Sequence, residues 1–260
     1  MGIKQTITQE ELPLKYRHYT LKETQDGVSH SVYLLEDMYV LKIVTLEELN
    51  ALENEQKLLN ELQNICVPKL LDIVQKTDFI LAFYTQVEGI SNAHPQVIHI
   101  KEIALFLKKF HTLSKDLNSS NTQIYTKKHL KILILQTKNE ILVNHFNTLT
   151  CELQNDGIIH GDLFYDNAKF QGDKLSGVYD FTEACEGDFV FELAVVALSW
   201  CFESENLNSQ KVNHLLQNYG TDIQYEDFKE YIKYALLYYT TTRYLANQNY
   251  QELLDKLEQL

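Results

Sequence analysis

The chain has 260 residues, 45% of them hydrophobic, and a formal net charge of −13. That length supports a substantial buried core in one large or two small domains, and the acidic balance argues against a nucleic-acid or anionic-membrane surface. Cys66, Cys151, Cys185 and Cys201 lack C-x-x-C or zinc-ligand spacing and suit reduced thiols; with neither a signal-peptide pattern nor an apolar run of roughly eighteen residues, the expected location is cytoplasmic, with no membrane partner.

The first third alternates with the period of strands over Tyr19–Glu23, Ser31–Leu35, Tyr39–Val44, Lys69–Val74 and Phe79–Thr85. One helix interrupts them. Thr45 followed by Glu48 is a capping-box signature, and Leu46, Leu49, Leu52, Leu59 and Leu62 recur at helical spacing to about Gln63. In the third strand Val40, Lys42 and Val44 share one face, Leu41 and Ile43 the other. Glu55 falls on the leucine stripe, where an unpaired carboxylate is costly. A pair between Lys42 and Glu55 would answer both charges.

Asp26-Gly27-Val28-Ser29-His30-Ser31 sits between the first two strands; with one glycine it is not a G-x-G-x-x-G loop, and an ordinary hairpin turn explains it nearly as well. Helices dominate beyond Gly89. Ile103, Phe106, Leu107, Phe110 and Leu113 give one face, and Lys127 to Glu152 reads as another long helical segment. Phe189 to Phe202 is apolar nearly all round, as in a buried helix. A helix from near Gln210 stops at Gly220, and a last one includes Tyr234, Leu237, Tyr238 and Tyr244.

The densest signal is His160-Gly161-Asp162-Leu163-Phe164-Tyr165-Asp166-Asn167, followed by Asp180-Phe181. Taken singly, Asp162 and Asp166 read as turn caps. Together they keep the order of a kinase loop, H-R-D-x-x-x-x-N then D-F-G, in which one Asp takes the hydroxyl proton while Asn and the second Asp hold Mg²⁺. Phosphoryl transfer needs charge neutralisation by a hard cation, hence oxygen ligands such as Asn167 and Asp180. Ala168–Phe170 and Leu175–Tyr179 about a turn at Gln171-Gly172-Asp173-Lys174 read as a hairpin that would return Asp180 towards Asn167. His160 is expected to have a structural role.

With those residues in place, Ile158 to Glu203 resembles the aminoglycoside phosphotransferase and choline kinase superfamily. Within it the resemblance is nearest to type II homoserine kinases, which often carry Leu-Phe-Pro-Asp-Asn and Trp-Cys-Phe-Glu runs. Tyr165 stands at the proline place, and Trp200 to Glu203 are retained. The resemblance implies a two-lobed, protein-kinase-like α+β fold: a small antiparallel-sheet lobe with one helix over 1–88, binding nucleotide, and a larger, mainly helical lobe over 89–260. ATP and Mg²⁺ follow as cofactors. Asp162 would be the base, Asn167 and Asp180 the metal ligands, Lys42 the phosphate contact and Glu55 its positioner. Gly27 and Ser29 would touch phosphate, Val40 would border the nucleotide, and Gln86 and Val87 would offer backbone to adenine.

The implied partner is a small hydroxyl acceptor, homoserine by resemblance. An aminoglycoside is the rival suggested by Glu183, Glu186, Asp188 and Glu192, with Glu183 the candidate substrate contact. Choline or ethanolamine would call for an aromatic cage. A non-catalytic, kinase-like nucleotide-binding protein is the alternative of a different class, kept open by three departures: Thr182 for the glycine of D-F-G, the glycine-poor turn at Gly27, and Glu192 where the family usually has Asp.

Overall fold

Alternating side chains build the first sheet. β1 (Leu21–Glu23), β2 (Ser31–Leu35), β3 (Tyr39–Val44), β4 (Leu70–Gln75) and β5 (Ile80–Thr85) pair antiparallel in the order β1-β2-β3-β5-β4. The computed structural model describes residues 5–24, 30–36 and 38–260. They form two compact units: the chain up to Glu88 with Gly177–Thr182, and Gly89–Ser176 with Glu183–Leu260.

In the first unit Leu41 and Ile43 point with Tyr33, Leu35, Leu81 and Phe83 into a core completed by Ile7, Leu12 and Tyr16. Tyr16 stacks on Phe83 at 4.0 Å. Each such side chain removed from water contributes about 1.5–3 kcal/mol. Lys42 therefore emerges on the opposite face. Helix α1 (Leu49–Glu61) follows a short 3₁₀ turn, Leu46–Glu48. The Thr45 N–H donates to Glu48 Oε2 at 2.9 Å, as the capping signature predicts. Although burial opposes the charge, hydrogen bonds from His30 and Thr45 hold Glu48 down to about 2.

The second unit is mainly helical: α2 (Val97–Ser114), α3 (Lys127–Thr137), α4 (Glu140–Thr148), α5 (Phe189–Trp200), α6 (Ser209–Tyr219), α7 (Tyr225–Leu245) and α8 (Gln251–Glu258). β6 (Gly157–Ile159) pairs with a later strand, Cys185–Gly187. Between them β7 (Ala168–Gln171) and β8 (Lys174–Val178) form the expected hairpin, turning at Gly172 with φ 61°. At the end of β8, the Val178 N–H donates to the Cys66 carbonyl at 3.0 Å, so Gly177–Thr182 groups with the first unit.

The single helix expected over Lys127 to Glu152 is two. Lys138 adopts φ 52°, and the Asn139 side chain caps a new helix by accepting the Ile141 N–H at 2.9 Å; an Asn cap competes well with continued helix. Helix α5 is the buried one foreseen, with Asp188 capping Phe191 N–H at 2.8 Å. No helix among the described residues is long and apolar enough to cross a membrane.

Candidate active site

In the first unit, Lys42 on β3 donates through Nζ to Asp180 Oδ1 at 2.8 Å and to Thr182 Oγ1 at 3.2 Å. Thr182 in turn donates to Asp180 Oδ1 at 2.9 Å. Asp180 sits at φ 68°, a left-handed conformation that Asp tolerates through local hydrogen bonding. Burial disfavours the Lys42 ammonium, yet Asp180 and Glu55 outweigh it and hold its pKa above the usual lysine value.

The direct pair expected between Lys42 and Glu55 is not made: no ion pair joins them within 4.0 Å. Both carboxylate oxygens of Glu55 are engaged elsewhere, Oε1 by the Phe181 N–H at 3.0 Å and Oε2 by the Tyr84 hydroxyl at 2.8 Å. Burial pushes Glu55 up to about 7, against the pull of the nearby Lys42 charge. Glu55 thus anchors the Phe181 N–H and meets Lys42 through its field and through the Thr182 hydroxyl, which lies 3.2 Å from Lys42 Nζ and 3.5 Å from Glu55 Oε2.

At the end of β5, Gln86 spends its N–H on the Met38 carbonyl at 3.0 Å. The N–H and C=O of Val87 have no protein partner among the described residues, so Val87 fits an adenine edge better than Gln86. Val40 lies half-buried on β3, opposite Tyr84. Gly27 and Ser29 lie outside the described residues.

In the second unit, the loop between β6 and β7 is clamped from two helices, α5 and α7. Glu192 on α5 is fully buried and accepts the His160 N–H at 2.7 Å, the Gly161 N–H at 2.8 Å and His111 Nε2 at 3.2 Å. Burial alone would raise it, but His111 and His160 hold Glu192 below the usual carboxylate range. His111, on α2, bonds Tyr219 through Nδ1 at 2.8 Å. From α5, Trp200 Nε1 donates to the Leu163 carbonyl at 3.1 Å and Ser199 Oγ accepts the Tyr165 N–H at 3.0 Å. From α7, the Tyr239 hydroxyl bonds the Gly161 carbonyl.

These restraints converge on Asp162. Gly161 has φ +81°, and a Cβ there would lie 2.3 Å from the Tyr125 ring, so only glycine fits before it. His160 Nδ1 accepts the Asp162 N–H at 3.2 Å, a role that orients the loop. Asn167 Nδ2 donates to Asp162 O at 2.7 Å and Oδ2 at 3.1 Å, leaving the amide oxygen of Asn167 as the group suited to a hard cation. Beside them Tyr125 donates to Glu183 Oε2 at 3.0 Å. Burial first, then the charges of Asp162 and Glu183, raise the Tyr125, Tyr238 and Tyr239 hydroxyls, which places both carboxylates around one aromatic cluster.

The described residues contain no cluster of three or more acidic, His or Cys side chains able to cage a metal. Mg²⁺ in nucleotide sites uses only one or two protein oxygens; the Asn167 amide oxygen in the second unit and the Asp180 carboxylate in the first are each a donor of that kind. Sequence reasoning missed Tyr84, Tyr125 and Tyr239, none of which carries a local motif. Thr182 and Glu192, counted there as departures, are both bonded into the framework.

The phosphotransferase enzyme family matches residues 20–224 of the chain. The homoserine kinase of Parvibaculum lavamentivorans is 27% identical over 254 aligned positions, covering 84% of this chain and 78% of that protein. The GDP complex of aminoglycoside 2'-phosphotransferase-IIIa superposes with a TM-score of 0.69 over 92% of this chain and 91% of that one, at 16% identity. A choline/ethanolamine kinase family protein from Mesorhizobium loti gives 0.68 over 92% and 86%, at 13% identity. The structural likenesses establish the fold, and it is the protein-kinase-like α+β architecture expected from the sequence.

Proposed function

The chain belongs to the phosphotransferase enzyme family of small-molecule kinases, and we propose that within it the acceptor is homoserine, phosphorylated by ATP. The observation that carries this reading is the clamped Asp162 loop, the segment that in sequence most resembles homoserine kinases. The acceptor oxygen attacks the γ-phosphorus while Asp162 takes its proton; the bond from phosphorus to the β,γ-bridging oxygen breaks, and ADP departs. Lys42, kept charged, contacts the phosphates. Val87 and Gln86 border adenine with Val40, and Gly27 and Ser29 cover phosphate. Asn167 Oδ1 and the Asp180 carboxylate are ligands suited to Mg²⁺, which when bound neutralises the phosphate charge.

The purified protein is tested by Mg·ATP consumption with homoserine, choline, ethanolamine and a panel of aminoglycosides, compared by kcat/KM. Homoserine is expected to lead. An aminoglycoside or choline ahead by orders of magnitude would replace the acceptor and leave the transfer mechanism standing. Nucleotide binding with no turnover of any acceptor would favour the non-catalytic reading.

A further inference from the structure

The last turns of α7 carry a cation that no step above uses. Tyr239 and Arg243 are four residues apart and share one helix face. Tyr239 fastens the Gly161 carbonyl, and its ring meets Phe164 edge-on at 4.9 Å. The guanidinium carbon of Arg243 lies 5.7 Å from the centre of the same Phe164 ring. Phe164 is two residues beyond Asp162, so the helix face that fastens the loop also brings a guanidinium to it.

Arg243 is half-buried and has no ion pair within 4.0 Å among the described residues. It exerts a field on Glu252, but that carboxylate is already paired with Lys256 at 2.7 Å. In a chain of net charge −13, an arginine left without a carboxylate partner at this loop is unusual. Against Gly161, Tyr125 holds Glu183, an exposed carboxylate, at 3.0 Å. One cation beside Phe164 and one anion on the Tyr125 that packs against Gly161 therefore attach to the segment that carries Asp162. Arginine is the side chain suited to gripping a carboxylate through two parallel hydrogen bonds, and stacking on Phe164 would fix the plane of its fork.

We infer that Arg243 binds the carboxylate of the acceptor and Glu183 its ammonium group, so that the pocket selects hydroxy amino acids over amino alcohols. This rests on the acceptor proposed above and adds the residues that would enforce it. The test compares homoserine with 3-aminopropan-1-ol, the same molecule without its carboxylate, in the wild type, Arg243→Gln and Arg243→Lys.

The wild type should prefer homoserine. Arg243→Gln should lower kcat/KM for homoserine about ten- to hundredfold, chiefly through KM, because a hydrogen-bonded charge partner is lost. It should leave 3-aminopropan-1-ol turnover and Mg·ATP affinity unchanged, and Arg243→Lys should restore part of the preference. The preference is a ratio within each variant, so it does not depend on how much of the variant folds. Homoserine turnover with an Arg243→Gln preference equal to wild type overturns the carboxylate subsite alone. A wild type that prefers choline or an aminoglycoside overturns the acceptor and, with it, the subsite.

Discussion

Replacing Glu192 with Gln isolates what the buried carboxylate does for the Asp162 loop. Its two oxygens accept three donors: the His160 N–H and His111 at Oε2, and the Gly161 N–H at Oε1. Glutamine keeps one acceptor, so the less costly orientation leaves the Gly161 N–H facing an NH₂ group. An unsatisfied buried donor costs about 1–3 kcal/mol. The remaining bonds lose their charge assistance, roughly half their strength, and the total comes to about 2–4 kcal/mol. That is a large share of the ~5–15 kcal/mol that holds a typical domain folded.

Hydrogen exchange at the His160 and Gly161 amides reads this locally, without assuming that both units unfold together. Protection should fall in Glu192→Gln, and kcat should fall with it while Mg·ATP affinity holds. The pH dependence has a definite sign. A carboxylate depressed on folding contributes stability above its unfolded value, roughly 4.3, and loses that contribution as pH falls through the lower folded value. The gap between wild type and variant should therefore narrow in acid. Equal protection at neutral pH, or a gap that widens in acid, would refute the clamp.

Asp162→Asn should reduce kcat by about 10²- to 10⁴-fold with Mg·ATP affinity retained by calorimetry, whereas near-wild-type turnover would exclude Asp162 as the base. Thr182→Val removes the hydroxyl that joins Lys42 to Asp180. It should weaken Mg·ATP binding by about tenfold, with Thr182→Ser restoring it. Glu55, raised on folding to about 7, contributes stability fully present below roughly 4.3 and lost as pH rises through about 7. The wild-type melting midpoint should therefore decline relative to Glu55→Gln across that window. A constant difference would show that Glu55 does not titrate there.

What the sequence determined by itself is local. Alternation in β3 placed Leu41 and Ile43 inside and Lys42 opposite, because a pleated strand allows no other arrangement. Gly220 ends α6 at φ 89°, and Asp162 and Asn167 are joined across their own short turn. Each outcome depends on neighbours a few residues away. The break at Lys138 is not legible in the sequence, because two weak local preferences, continued helix and an Asn cap, differ by little there. Which partner each charged group would take was decided only by the tertiary structure. Glu55 bonds Tyr84 and the Phe181 N–H instead of Lys42, and the Thr182 hydroxyl bonds Asp180. Glu192 meets His111 from 81 residues away, and Arg243 on α7 reaches Phe164 in the Asp162 loop. Contacts between distant segments follow the path of the whole chain, and no period of two or 3.6 residues records them.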